Sequence, residues 1–172
     1  MAAGWQFCPQ CAEPLEWREQ AGRERRSCDG CGFVHWDNPL PVLAALVEFD
    51  GRILLARNAA GEEGRFALVT GFMERDETPE QGIRRELKEE TNLDADHVDL
   101  IGVYEFMRKN ELIIAYHVRA SGTIALNEEL ADYRLIPPEQ LRPWRRGTGL
   151  AMADWMRRRG LSVELVDTPP RY

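Results

Sequence analysis

Four cysteines lie within the first 31 residues of this 172-residue chain, as Cys8-Pro9-Gln10-Cys11 and Cys28-Asp29-Gly30-Cys31. No other feature restricts the local fold so tightly. Two residues between paired thiols place both sulfurs on one side of a tight turn, and two such turns facing each other complete a four-sulfur shell. Pro9 stiffens the first turn, while Gly30 and Gly32 relax the second. Disulfides are the competing use, but a reducing compartment disfavours them, and a redox Cys-x-x-Cys pair normally occurs once, at the start of a helix in a larger fold. The spacing therefore predicts a structural zinc ion on Cys8, Cys11, Cys28 and Cys31, with no coordination position left open for chemistry. Such an ion stands in for the core that thirty-odd residues cannot build. Leu15 and Trp17 alternate with Glu16 and Arg18, and Gly22 offers a turn before a charged return, so this segment reads as a zinc ribbon.

Two prolines in Asn38-Pro39-Leu40-Pro41 punctuate the chain and predict a ribbon over 1–38 and a second domain over 39–172. Beyond them the pattern changes. Val42–Phe49 is a nearly continuous apolar run, Asp50-Gly51 is a favoured two-residue hairpin turn, and Arg52–Arg57 returns from it. Further strands are expected at 67–70, 98–106, 112–120 and 132–136, with helices at 79–91 and 148–159 and a short turn at 137–141. Strands in the majority with two main helices predict a mixed α/β or α+β sandwich.

Composition narrows the function. Lys and Arg total 22 against 29 Asp and Glu, and the resulting charge of −7 repels polyanions on average. Two basic spots, Arg142/Arg145/Arg146 and Arg157–Arg159, run against that average. Neither lysine, Lys88 or Lys109, sits in a phosphate-binding Gly-rich loop, and none of Ser27, Ser121 and Ser162 lies in Gly-x-Ser-x-Gly. No apolar run reaches the roughly 20 residues of a membrane-spanning helix, and the segment ahead of Cys8 lacks the basic and apolar regions of a secretory leader. A cytoplasmic location is expected.

The helix at 79–91 is bounded by strong signals. Thr78 is a good N-cap, Pro79 takes the first helical position, Gln81 completes a capping box, and Asn92 tolerates the left-handed residue that ends many helices. Ile83 and Leu87, four apart, form its buried stripe. Glu86, Glu89 and Glu90 stand at i, i+3 and i+4, so three carboxylates leave one face. Each like-charged i,i+4 pair costs roughly 0.2–0.5 kcal/mol even on an exposed helix. Oxygen ligands in threes suit a hard divalent cation.

Gly71, then Glu77, then Arg85-Glu86-Leu87-Lys88-Glu89-Glu90 and Asn92-Leu93 resemble the Nudix box, G-x5-E-x7-R-E-U-x-E-E-x-G-U with U aliphatic. Only the last glycine differs, as Asn92. The ribbon and His35-Trp36-Asp37-Asn38-Pro39 look like the subgroup of Nudix hydrolases that carry an N-terminal zinc ribbon and an aromatic-x-x-Pro link. That subgroup includes NADH, FAD and ADP-ribose pyrophosphatases. The resemblance implies an α/β/α sandwich with a mixed sheet, and metal-dependent hydrolysis of the pyrophosphate in a nucleoside diphosphate linked to another group, releasing AMP. It also implies Mg²⁺ or Mn²⁺ on Glu86, Glu89, Glu90 and the Gly71 carbonyl, with Glu86 orienting or deprotonating the attacking water, and Arg85 paired with Glu77 to brace the loop. Glu129 stands where many relatives place a further carboxylate, with Glu128 and Glu111 as alternatives.

Base recognition is less legible. Phe66, Phe72, Tyr104 and Phe106 are aromatic candidates for stacking on a nucleobase, against the ordinary use of such residues as core. The NADH pyrophosphatases carry Ser-Gln-Pro-Trp after the box, and Tyr104-Glu105-Phe106-Met107 stands in its place, which ranks FAD and ADP-ribose ahead of NADH and diadenosine polyphosphates. Two other readings compete: a non-catalytic nucleotide-sensing module, and an adaptor binding a capped RNA end. The acidic balance disfavours other nucleic-acid contacts. A homodimer is expected, with no membrane partner.

Overall fold

The computed structural model describes residues 5–172; Met1–Gly4, part of the stretch read above for a leader, lie outside them. The chain divides into two compact units between Pro39 and Leu40. No helix among the described residues is long and apolar enough to cross a membrane.

In the first unit, β1 (Glu16–Gln20) and β2 (Arg23–Ser27) pair antiparallel, with Trp17 opposite Arg26 and Gln20 opposite Arg23. Ala21 and Gly22 turn the hairpin with positive φ, as the expected turn requires. Its core is Cys8, Leu15 and Cys28, with Phe33 packed against them. So small a core buries too little apolar surface to fix a fold alone.

The second unit holds β3 (Leu40–Phe49), β4 (Arg52–Asn58), β5 (Val69–Phe72), α1 (Pro79–Thr91), β6 (Asp94–Phe106), β7 (Glu111–Ser121), β8 (Leu130–Ile136) and α2 (Thr148–Arg158). One mixed sheet runs β6-β7-β3-β4-β8, with β5 paired to β3. β3 runs parallel to β7 and antiparallel to β4 and β5.

The unbroken apolar run of β3 has a simple cause: both of its faces are covered. Leu43, Ala45 and Val47 point into one core with Ile83 and Leu87 of α1, whereas Val42, Ala44 and Leu46 point into another with Ala151, Met152, Trp155 and Met156 of α2. Strand period 2 thus assigns alternate residues to opposite helices. The result is the expected α/β/α sandwich.

Most boundaries shift by a residue or two, and two shifts have a structural cause. The segment expected as a strand at 67–70 divides its pairing, because Ala67 bridges to Ala56 of β4 while Val69–Phe72 pairs with Val42–Ala45 of β3. β6 starts at Asp94 instead of Val98, since Asn92 turns the chain out of α1 straight into register with Ser121.

Candidate active site and metal centre

The ends of α1 form as its sequence requires. The Thr78 hydroxyl accepts from the Gln81 amide at 3.2 Å, and the Gln81 side chain accepts from the Thr78 amide at 2.8 Å. Asn92 takes φ 60° and donates its amide to the Lys88 carbonyl. These caps hold α1 in a fixed rotation, so Glu86 and Glu90 turn toward the end of β5 and Glu89 toward solvent.

Gly71 and Gly82 are packing requirements. A Cβ at Gly71 would overlap the Glu86 carboxyl group, and one at Gly82 would overlap Leu43 and Glu77. Glu86 therefore lies directly against the β5 backbone, a close approach that only glycine allows.

Arg85 organises the loop before α1. Its Nε and Nη2 donate to the two oxygens of Glu77 at 3.0 and 2.9 Å, and Nη1 donates to Glu86 at 2.8 Å and to Glu89 at 3.0 Å. Nη2 also reaches the Phe72 carbonyl at 3.2 Å. A guanidinium has five N–H donors, and these five contacts use them all. Glu77 in turn accepts the Glu74 amide at 2.7 Å. The Arg85 guanidinium, followed by that amide, holds the Glu77 carboxyl below the usual range.

Glu90 has no such compensation. It is only 5% exposed, and no lysine or arginine pairs with it or with Glu129 among the described residues. Burial pushes its carboxyl up to about 7, with the charges of Glu86, Glu129 and Glu89 adding to the effect. Burial also raises Glu86, against the opposing pull of Arg85. Glu129 arrives from the turn before β8, where Asn127 accepts its amide at 3.0 Å and its own carbonyl accepts the Ala59 amide at 2.7 Å. The preceding loop is tied to α1 by amides of Ala125 and Asn127 donating to Thr91 and Glu90 carbonyls. Glu90 and Glu129 line one cavity of about 330 Å³, together with Asn58, Glu62, Arg65 and Thr70. Nothing in the linear sequence marks those last four: Asn58 ends β4, Thr70 lies in β5, and Glu62 and Arg65 belong to the segment between them.

The other expected residues separate. Phe72 is 57% exposed at the end of β5, beside Arg85. Phe106 is partly buried and lines a second cavity. Tyr104, expected as a stacking residue, is 9% exposed, packs in the α2-side core and donates its hydroxyl to Asp154 at 2.9 Å. Burial and then Asp154 push its phenol up to about 12. This placement makes it a packing residue. Phe66 is likewise core. Glu111 lines the second cavity, 3.8 Å from Lys109, and Glu128 is exposed in the turn.

In the ribbon, the four cysteine sulfurs lie within 4.8 Å of one another. Cys8 and Cys31 are 3.5 Å apart, Cys11 and Cys28 are 3.4 Å apart, and all four are free thiols. A tetrahedral ion with metal–sulfur bonds of about 2.3 Å needs sulfurs about 3.8 Å apart, so the cluster fits one. Each pair sits on the same kind of turn. The Ala12 amide donates to the Cys8 carbonyl and the Gly32 amide to that of Cys28, and Cys8 and Cys28 donate to the Glu13 and Phe33 carbonyls.

A mixed sheet between two helices, with carboxylates gathered at the end of one strand and a four-thiol ribbon preceding it in the chain, defines a class of two-part α/β proteins. Within that class the chain belongs to the Nudix family: residues 37–158 match the model described as NUDIX domain. Residues 6–37 match the zinc-ribbon model described as Nudix N-terminal. Among curated proteins, the chain is 30% identical to an NAD-capped RNA hydrolase, NudC, of Vibrio atlanticus over 77% of this chain and 49% of that protein. It is 29% identical to a mitochondrial NAD(P)H pyrophosphatase of Mus musculus over 66% of this chain and 32% of that one. The chain thus spans about half the length, or less, of these curated relatives. A crystal structure of a NUDIX hydrolase from Nitrosomonas europaea shares the fold, with a TM-score of 0.72 and 23% identity over 95% of this chain and 100% of that one.

Proposed function

We propose that the chain is a divalent-cation-dependent pyrophosphohydrolase that cleaves a nucleoside diphosphate linked to another group, releasing AMP from an adenine dinucleotide. The observation that carries this reading is the imbalance around Arg85. One guanidinium is fully occupied by Glu77, Glu86 and Glu89, while Glu90 and Glu129 share a cavity with no ammonium or guanidinium on them. Glu90 is buried and Glu129 exposed at the rim, and a buried carboxylate left without a positive partner calls for a cation.

Glu86, Glu89 and Glu90, the Gly71 carbonyl and Glu129 would hold Mg²⁺ or Mn²⁺. When bound, such an ion neutralises pyrophosphate oxygens and lowers the pKa of a coordinated water. Glu86, fixed against Gly71, orients the attacking water and accepts its proton. Attack at one phosphorus breaks its bond to the bridging oxygen, which leaves with the second phosphate, so two phosphomonoesters form. Arg85, held by Glu77, positions Glu86 and Glu89 and touches no reacting atom. Phe72 offers an exposed ring near the site. The ribbon cysteines would hold a structural Zn²⁺.

The names of the relatives add NAD-capped RNA and NAD(P)H to the candidate substrates FAD, ADP-ribose and diadenosine polyphosphates. The test is product release from that panel with Mg²⁺ or Mn²⁺, run beside Glu90→Gln and Glu77→Gln. AMP from at least one substrate is expected. Glu77→Gln should lose about 10–100-fold, as loss of a group supporting metal ligands does, and Glu90→Gln at least as much. An inert wild type would leave the nucleotide-sensing alternative in its place. The reading also takes the protein as a cytoplasmic homodimer, which sedimentation of the purified chain checks for oligomeric state.

A further inference from the structure

A second cavity, of about 340 Å³, shares Arg65, Ala67, Leu68 and Thr70 with the carboxylate-lined one. The two differ in charge. The first carries Glu62, Glu90 and Glu129 against a single arginine. The second carries Arg65, Arg108, Lys109 and Arg146 against Glu111 and Asp167, on a chain whose overall charge is −7.

Pairing sharpens the difference. Glu111 lies 3.8 Å from Lys109, Asp167 pairs with Arg145 at 3.2 Å, and Arg65 pairs with Glu62. Both acids of the second cavity therefore already have cations, whereas Arg108 and Arg146 have no ion-pair partner among the described residues. They come from separate segments of the lining: Arg108 from the turn between β6 and β7, Arg146 from the residue before the Gly147 cap of α2. The floor is apolar, with Val42, Ile113 and Trp144. The α2 N-terminus opens here with no side-chain cap, which adds a small positive field.

We infer that Arg108 and Arg146 form a subsite for a phosphate on a ribose hydroxyl, so that the preferred substrate carries a third phosphate beyond its pyrophosphate. The inference rests on the pyrophosphohydrolase reading for its orientation: the pyrophosphate lies over the carboxylate cavity, and the nucleoside of one half extends past Arg65 into the second. Two arginines without ion-pair partners in one cavity lining suit a phosphate, because each guanidinium offers paired donors to its oxygens. A 2′-phosphomonoester on a small dinucleotide and the 3′-phosphodiester of an RNA chain share this chemistry.

The test uses probes without a pyrophosphate, so hydrolysis cannot confuse it. Adenosine 2′,5′-bisphosphate, adenosine 3′,5′-bisphosphate and 5′-AMP are titrated into the whole 172-residue chain by calorimetry. At least one bisphosphate should bind on the order of tenfold more tightly than 5′-AMP, as an added charge-assisted contact gives. That advantage should shrink below about twofold in Arg108→Gln/Arg146→Gln and return in Arg108→Lys/Arg146→Lys, with 5′-AMP affinity unchanged throughout. Preference for the 2′ probe identifies a small phosphorylated dinucleotide, and preference for the 3′ probe an RNA end. No preference in the wild type, or one that survives in the glutamine variant, overturns the inference. Turnover of the substrate panel is scored separately, so an inactive protein that still prefers a bisphosphate would refute the hydrolase reading alone.

Discussion

The ribbon and the larger unit each gather four or five groups that can carry negative charge, and the two clusters have opposite relations to the fold. In the ribbon, Cys8 and Cys28 are two of the three core residues, so the cluster and the core are nearly the same object. In the larger unit, two apolar cores form independently of Glu86, Glu89, Glu90 and Glu129. The ribbon has almost no core apart from its thiols, whereas the sandwich has two apolar cores and bears the cost of its buried carboxylates on top of them. A cluster of ionisable groups can therefore be the cause of a structure or a burden upon it, and the amount of apolar surface beside it decides which.

The largest effect should separate the units cleanly. Cys28→Ser removes a ligand from a site whose ion binding is worth about 10–16 kcal/mol in small zinc domains. Amide resonances of residues 5–37 should collapse toward random-coil positions while those of β3 and α1 stay dispersed; collapse of both would break the contrast. Leu87→Ala is the converse. It empties a fully buried position under α1 and should cost the larger unit about 2–5 kcal/mol in urea denaturation, with ribbon resonances unmoved.

A smaller effect tests the burden directly. Glu90 has a folded pKa near 7 against an ordinary 4.5, so folding disfavours its ionised form. The penalty is complete above pH 7 and fades as pH falls toward 4.5. Without added Mg²⁺ or Mn²⁺, Glu90→Gln should exceed the wild type in stability by about 1–2 kcal/mol at pH 8, after allowing for partial solvent screening, and match it near pH 4.5. Equal stability at pH 8 would mean that the sandwich carries no such cost. The smallest effect concerns the seat of the cluster: Thr78→Ala loses one cap bond and should cost about 1 kcal/mol, read as a lower midpoint with unchanged slope.

What could be read in the linear chain follows the range of the interactions. The cysteine turns, both caps of α1 and the Arg85 contact with Glu89 depend on residues a few positions apart, and local spacing announces them. Gly71 and Glu77 belong with α1 through a recognisable pattern, although the reason Gly71 must be glycine emerges only when Glu86 is seen pressed against it. Glu129 is singled out by resemblance alone, because the hydrogen bonds that carry its loop to Glu90 link positions some 30 residues apart or more. Tyr104 and Phe72 looked alike as aromatic candidates. The register places both on the same sheet face, through Ile113 and Val42, so their different fates rest on position along it: Phe72 ends β5 in the open, whereas Tyr104 lies under α2 and meets Asp154, fifty residues away. The second cavity was invisible for the same reason, since its walls come from five separate segments.

The alternation along β3 also bears on how such a protein can change over time. Leu43, Ala45 and Val47 answer only to the helix carrying the carboxylates, and Val42, Ala44 and Leu46 only to the helix behind the second cavity. One ten-residue strand thus acts as a partition wall. Substitutions at the even positions can repack the α2 side without disturbing the α1 side, so one half of the sandwich can vary while the half that carries the carboxylates is kept.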